Sequence, residues 1–195
     1  MSPSVPRRTA SPASVPVLFA AFALVLAACN GSDDADPGEL EVTAMATVLE
    51  GGVPVSATST QVRDEGDGVL AHEIQLTWDG DITVTVDDAR FAHVIEGDEG
   101  GHIVTAGRGC GAEYDEDQAD ALIACTDDLQ LIQLTPGGTH EYPVRAHVDL
   151  GELAMVPGRY VADETIEWFE SDDPEQPVAD GEEGVFTIRL TYEVD

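Results

Sequence analysis

From Leu40 to the C-terminus the chain is written in period two. Leu40, Val42, Ala44, Ala46 and Val48 occupy alternate positions, the pattern of a half-buried strand. Gly51-Gly52 then predicts a hairpin turn into Val53–Val62, and Asp64 to Gly68 a polar turn. Leu70, His72, Ile74, Leu76 and Trp78 alternate next. Asp79-Gly80 is a two-residue hairpin signal leading to Ile82, Val84 and Val86. Arg90–Ile95 and His102–Ala106 flank a turn at Gly97 to Gly101. Leu129–Leu134 stops at Pro136-Gly137-Gly138, after which Tyr142, Val144, Ala146, Val148 and Leu150 alternate. Tyr160 to Trp168 is a further strand, Glu170 to Gly184 an acidic loop. Phe186, Ile188, Leu190, Tyr192 and Val194 close the chain as an amphipathic strand. Gly109 to Cys125 is the least regular part, with Tyr114 to Ile123 expected as a short helix or an acidic loop. Roughly eight to ten short strands between Gly/Pro/Asp turns predict an all-β, antiparallel sandwich.

Ahead of this lies an apolar run, Val15 to Ala28, behind Arg7 and Arg8. It is shorter than the ~20 residues a spanning helix needs, and its charged start and small-residue end describe a secretory signal. Leu26-Ala27-Ala28-Cys29 resembles the lipobox of bacterial lipoproteins. That resemblance implies removal of residues 1–28, a diacylglycerol thioether and further acylation on Cys29, and anchoring on the extracytoplasmic face of the cell membrane. Residues 29–38, the lipidated cysteine with Asn30 to Gly38, read as a flexible acidic tether. Residues 39–195 remain as a single β-sandwich domain.

Composition sharpens this picture. Every basic residue is an arginine, and the whole chain carries a formal charge of −31. Arg7 and Arg8 leave with residues 1–28, which hold no acid. Six arginines then face 39 acids, a charge of −33, two more negative than the whole. Such a surface repels nucleic acid and anionic lipid. Salt adaptation, binding of cations or basic partners, and plain solubility stay open as reasons. With Cys29 assigned to lipid, Cys110 and Cys125 remain as a pair in an oxidising compartment, where a disulfide is favoured over two free thiols or half a metal site.

A second resemblance rests on Leu134-Thr135-Pro136-Gly137 and Val156-Pro157-Gly158-Arg159-Tyr160. This pairing is similar to bacterial immunoglobulin-like sandwiches, including the BsuPI type of proteinase inhibitor, over about residues 129–168. It implies an immunoglobulin-like fold with Tyr160 as a corner tyrosine; inhibitor activity is not carried over. Cys110 and Cys125 depart from that pattern, being too close in sequence for a bridge between sheets.

Catalytic signatures are sparse: no Gly-x-Ser-x-Gly elbow, no phosphate-cradling glycine loop after a strand and no His-Glu-x-x-His helix occurs. His93 and His102 are expected to approach each other across their hairpin, and His72 to be a hydrogen-bonded core residue. His140 and His147 face opposite ways on one strand. Asp115, Asp117 and Asp120 supply hard oxygens suited to Ca²⁺, without the EF-hand glycine; the competing reading is a solvated acidic loop. Trp168 points inward with Ile166, leaving Phe169 outward, either as a protein or sugar contact or as the end of a core strand. The expectation is a membrane-anchored binding or scaffolding module for an envelope ligand or protein, not an enzyme and with no cofactor apart from the calcium candidate. A carboxylate-based cell-envelope hydrolase is the alternative.

Overall fold

Alternation becomes strand almost everywhere that the computed structural model describes, namely residues 41–49, 52–127, 130–171, 173 and 178–195. Residues 1–28, Cys29 and the tether to Gly38 lie outside them, as do Asp128, Leu129 and part of the acidic loop. In chain order the strands are β1 (Val42–Val48), β2 (Val55–Ser59), β3 (Arg63–Gly66), β4 (Val69–Trp78), β5 (Val84–Asp87), β6 (His93–Glu96), β7 (His102–Gly107) and β8 (Cys110–Asp115). They continue as β9 (Asp120–Cys125), β10 (Leu131–Leu134), β11 (Thr139–His147), β12 (Asp149–Leu150), β13 (Leu153–Ala154), β14 (Gly158–Glu170) and β15 (Glu183–Val194). One sheet has the order β1-β15-β14-β5-β10, and the other β2-β4-β11-β7-β6 with β3 also on β4. The pairings are antiparallel, and the protein is an all-β sandwich.

Between the layers lie Ile74, Leu76, Trp78 and Tyr142 from one sheet and Ile166, Trp168, Phe186, Ile188 and Leu190 from the other. Each such side chain contributes roughly 1.5–3 kcal/mol by leaving water. Trp78 and Trp168 meet across the layers at 5.3 Å between ring centroids. Tyr160 is fully buried and forms the corner that the second resemblance implies: its hydroxyl donates to Val156 O at 2.7 Å and accepts from Val156 N at 2.9 Å. The tyrosine thereby pins the turn leading into its own strand.

Four local expectations change. Gly51 of the expected Gly51-Gly52 turn lies outside the described residues, and the flanking strands form no hairpin with each other, because β1 pairs β15 while β2 pairs β4 in the opposite layer. Leu49 N still donates to Thr187 O at 2.8 Å, so β1 holds its own sheet to the end. Asp79-Gly80 is likewise a crossing between layers. There Trp78 Nε1 donates to Ile82 O at 2.9 Å, and the indole lies so close that a Cβ on Gly80 would sit 2.7 Å from it. A packed tryptophan, which a pattern of turn residues does not encode, redirects the chain. Third, the polar turn shrinks to Asp67-Gly68, both left-handed (φ 53° and 70°), with Arg63–Gly66 recruited as a strand.

The fourth change is the cysteine segment. It is neither helix nor loop but a two-stranded ribbon, β8 with β9, in which Cys110 and Cys125 are directly opposed and disulfide-bonded. The bridge fixes the register at the ribbon's base, so alternation of Ala112 and Tyr114 against Ala121 and Ile123 follows. Tyr114 lies against Gly151 of the β12–β13 turn, where a Cβ would come within 2.2 Å of the ring.

Candidate functional site

The outer face of the six-stranded sheet carries the site. Arg63 on β3 opposes Ala71 on β4, which opposes Arg145 on β11, which opposes Ala106 on β7. Directly opposed residues of antiparallel strands share a face, so this row places two arginines over two small side chains. Ala71 and Ala106 are buried, whereas both arginines are exposed. Arg108 adds a third guanidinium from the turn after β7 and lines the same groove, whose volume is about 310 Å³.

Local backbone chemistry sets Arg108 there. Gly107 N donates to Arg90 O at 2.7 Å, and a Cβ on Gly107 would lie 2.1 Å from that oxygen, so only glycine fits. Gly109 takes a left-handed φ of 71° and reverses the chain into the disulfide ribbon. β7 therefore leaves β11 after Gly107, and the groove opens where the two strands part.

Three of the six arginines among the described residues border this groove. Arg145 Nε lies 3.1 Å from Glu65 Oε2, an exposed pair, whose stabilisation is at most about 1 kcal/mol. Arg63 and Arg108 have no ion pair among the described residues, although the chain holds 39 acids. The field of these cations reaches neighbouring groups. Burial pushes His147 below its usual range, and Arg145 pushes it further. Burial raises the Asp88 carboxyl, an effect opposed by Arg108, His140 and Arg90. Glu65 and Glu73 complete the rim.

A second polar cluster is internal. His72 is 1 % exposed; its Nε2 lies 2.8 Å from Tyr192 Oη and its Nδ1 2.9 Å from Ser59 Oγ. Ser59 Oγ donates to Thr60 O. With burial holding Tyr192 protonated, every member is satisfied when Tyr192 donates to Nε2 and Nδ1–H donates to Ser59. In that arrangement the imidazole gives Ser59 a proton to share rather than taking one. His72 thus links the layers through Tyr192 on β15 and ties β4 to its neighbour β2 through Ser59, and in this tautomer it does not serve as a base toward the Ser59 hydroxyl. Burial pushes the imidazole down to about 4, and His72 is the core histidine expected of it.

The remaining predicted residues are dispersed. His93 opposes Thr105 and His102 opposes Glu96, three pairs apart, so the hairpin does not bring the two imidazoles together. His93 Nε2 instead lies 2.9 Å from Glu164 Oε2 on β14. Asp115 Oδ1 accepts from Asp117 N and Gln118 N, its Oδ2 accepts from Gln118 Nε2, and Asp120 Oδ1 accepts from Ala121 N. These carboxylates stitch the ribbon's tip, and among the described residues no group of three His, Cys, Asp or Glu side chains converges as a metal site. Trp168 is buried, and Phe169 is half-buried opposite Thr85 and Glu183.

The arginine groove was not singled out from sequence. Its residues are 45 and 37 positions apart along the chain, and only strand register gathers them. The available signal was scarcity: six cations among 39 acids, with Arg145 on the outward phase of its strand. The sequence matches no protein-family description, and no curated protein is similar to it.

Proposed function

We propose that this chain is a lipid-anchored, extracytoplasmic binding module whose ligand sits in the groove between Arg63, Arg108 and Arg145. The observation carrying this reading is the gathering of scarce cations at one concave site on a strongly acidic molecule. Charge of that sign placed against the overall field marks a place where an anionic group gains what it loses elsewhere on the surface. Beside Glu65 and Glu73 the groove is lined by three arginines and mostly small residues, with no Phe, Tyr or Trp platform for a sugar ring, which favours anion binding over glycoside cleavage by a carboxylate pair. The Cys110–Cys125 bridge supports an oxidising compartment, and the lipobox-like Leu26-Ala27-Ala28-Cys29 supports attachment at Cys29.

Two measurements test the reading. Labelled fatty acid is expected on the wild type and absent from Cys29→Ala, which leaves the membrane fraction or stays unprocessed; label on the variant contradicts anchoring. Equilibrium dialysis against small molecules extracted from the cell envelope is expected to retain anionic material on the wild type and not on Arg145→Ala. Equal retention contradicts the groove as the binding surface.

A further inference from the structure

We propose that the groove seats a phosphate group, with Arg63, Arg108 and Arg145 as donors and Glu73 as acceptor; this rests on the binding reading above. Each guanidinium presents five N–H donors in a rigid fork and is charged at every accessible pH. Arg63 and Arg145 stand on strands separated only by β4, so their backbones lie about 10 Å apart at the usual strand spacing of ~4.8 Å. Both line one groove with Ala71 between them. That span suits one tetrahedral oxyanion approached from two sides, with Arg108 closing the third.

A carboxylate offers only two oxygens and a single negative charge, and one bidentate arginine already engages both oxygens. Three guanidiniums call for more oxygens and more charge, which a phosphate supplies. Glu65 holds Arg145 through a weak exposed pair, so a dianion with several oxygens displaces it. Glu73, on the rim, repels a fully ionised group but accepts a hydrogen bond from a P–OH. Inorganic phosphate near neutral pH always retains at least one such proton, and a phosphate monoester retains one part of the time, whereas sulfate has none. The groove should therefore take phosphate in preference to sulfate.

The test titrates the purified full-length chain at pH 7 by calorimetry with sodium phosphate, sodium sulfate and sodium chloride at matched ionic strength. Saturable phosphate binding is expected, with sulfate at least tenfold weaker. Arg63→Ala and Arg145→Ala should each weaken phosphate at least tenfold, and Glu73→Gln should narrow the preference over sulfate. Arg189→Ala, on the other sheet and paired with Asp163, should change nothing. Glycerol 3-phosphate and phosphatidic acid vesicles separate the sources. Binding of the dissolved ester with inert vesicles identifies a soluble phosphate compound, and vesicle binding abolished by Arg145→Ala identifies a lipid headgroup. Phosphate indistinguishable from sulfate, or an Arg189→Ala loss equal to that of Arg145→Ala, overturns the inference. If phosphate fails while Arg145→Ala still releases envelope material in the dialysis, the inference falls and the binding reading stands.

Discussion

Acidification should weaken this fold through His72 by an amount that its surroundings set. The imidazole lies between the two sheets, hydrogen-bonded to Tyr192 and Ser59, and burial lowers it from 6.5 to about 4. In the unfolded chain it takes a proton below pH 6.5; in the folded protein it stays neutral until about pH 4. Between those values the unfolded state binds more protons, so stability rises with pH and is lost as pH falls. The full difference is about 3 kcal/mol, and between pH 7.5 and 5.5 the loss is about 1.3 kcal/mol. Carboxylates and other histidines titrate too, so the measurement is a difference. Urea unfolding of wild type and His72→Gln at both pH values cancels the shared contribution, and glutamine keeps a hydrogen-bonding group between Tyr192 and Ser59. Wild type should lose about 1.3 kcal/mol more than the variant over that interval. Parallel losses would refute the buried neutral imidazole as a determinant of stability.

Tyr160→Phe leaves Val156 N–H and C=O without the partner they share and should cost about 1–3 kcal/mol, read as a lower urea midpoint. Reduction of Cys110–Cys125 should remove up to about 3 kcal/mol of loop-closure stabilisation; neither thiol should alkylate in denaturant before reductant is added. Sodium chloride should raise the melting temperature by screening a charge of −31, since the Debye length falls from about 10 Å at 0.1 M to 3 Å at 1 M. At matched ionic strength CaCl₂ and MgCl₂ should act alike on the ribbon's tip, because Asp115 is already bonded to the turn. A calcium-specific rise lost in Asp115→Asn would instead reveal a metal site there.

Strand content was legible because period two survives wherever a strand has one wet face. The run Leu70–Trp78 and the last strand show it most clearly. Which strands are neighbours was less legible. Gly51-Gly52 and Asp79-Gly80 carry hairpin chemistry, yet the strands flanking each pair lie in different sheets, since neighbour choice depends on packing such as Trp78 against Gly80. The ribbon between Cys110 and Cys125 looked irregular because neither of its faces is deeply buried; a covalent bridge at its base supplies the order that burial does not. Tyr160 and His72 were readable as single residues, each fixed by its own strand phase. The arginine groove was not, because it exists only as a row across β3, β4 and β11.

The central claim is that this row binds, and arginine Nε–Hε resonances report on it directly. The chain has eight arginines and no lysine, so a ¹⁵N spectrum of those side chains is sparse enough to assign by substitution. On titration with phosphate the signals of Arg63, Arg108 and Arg145 should shift together and saturate with one dissociation constant, while those of Arg159 and Arg189 stay in place. Shifts spread evenly over all arginines, or confined to those outside the groove, would contradict it.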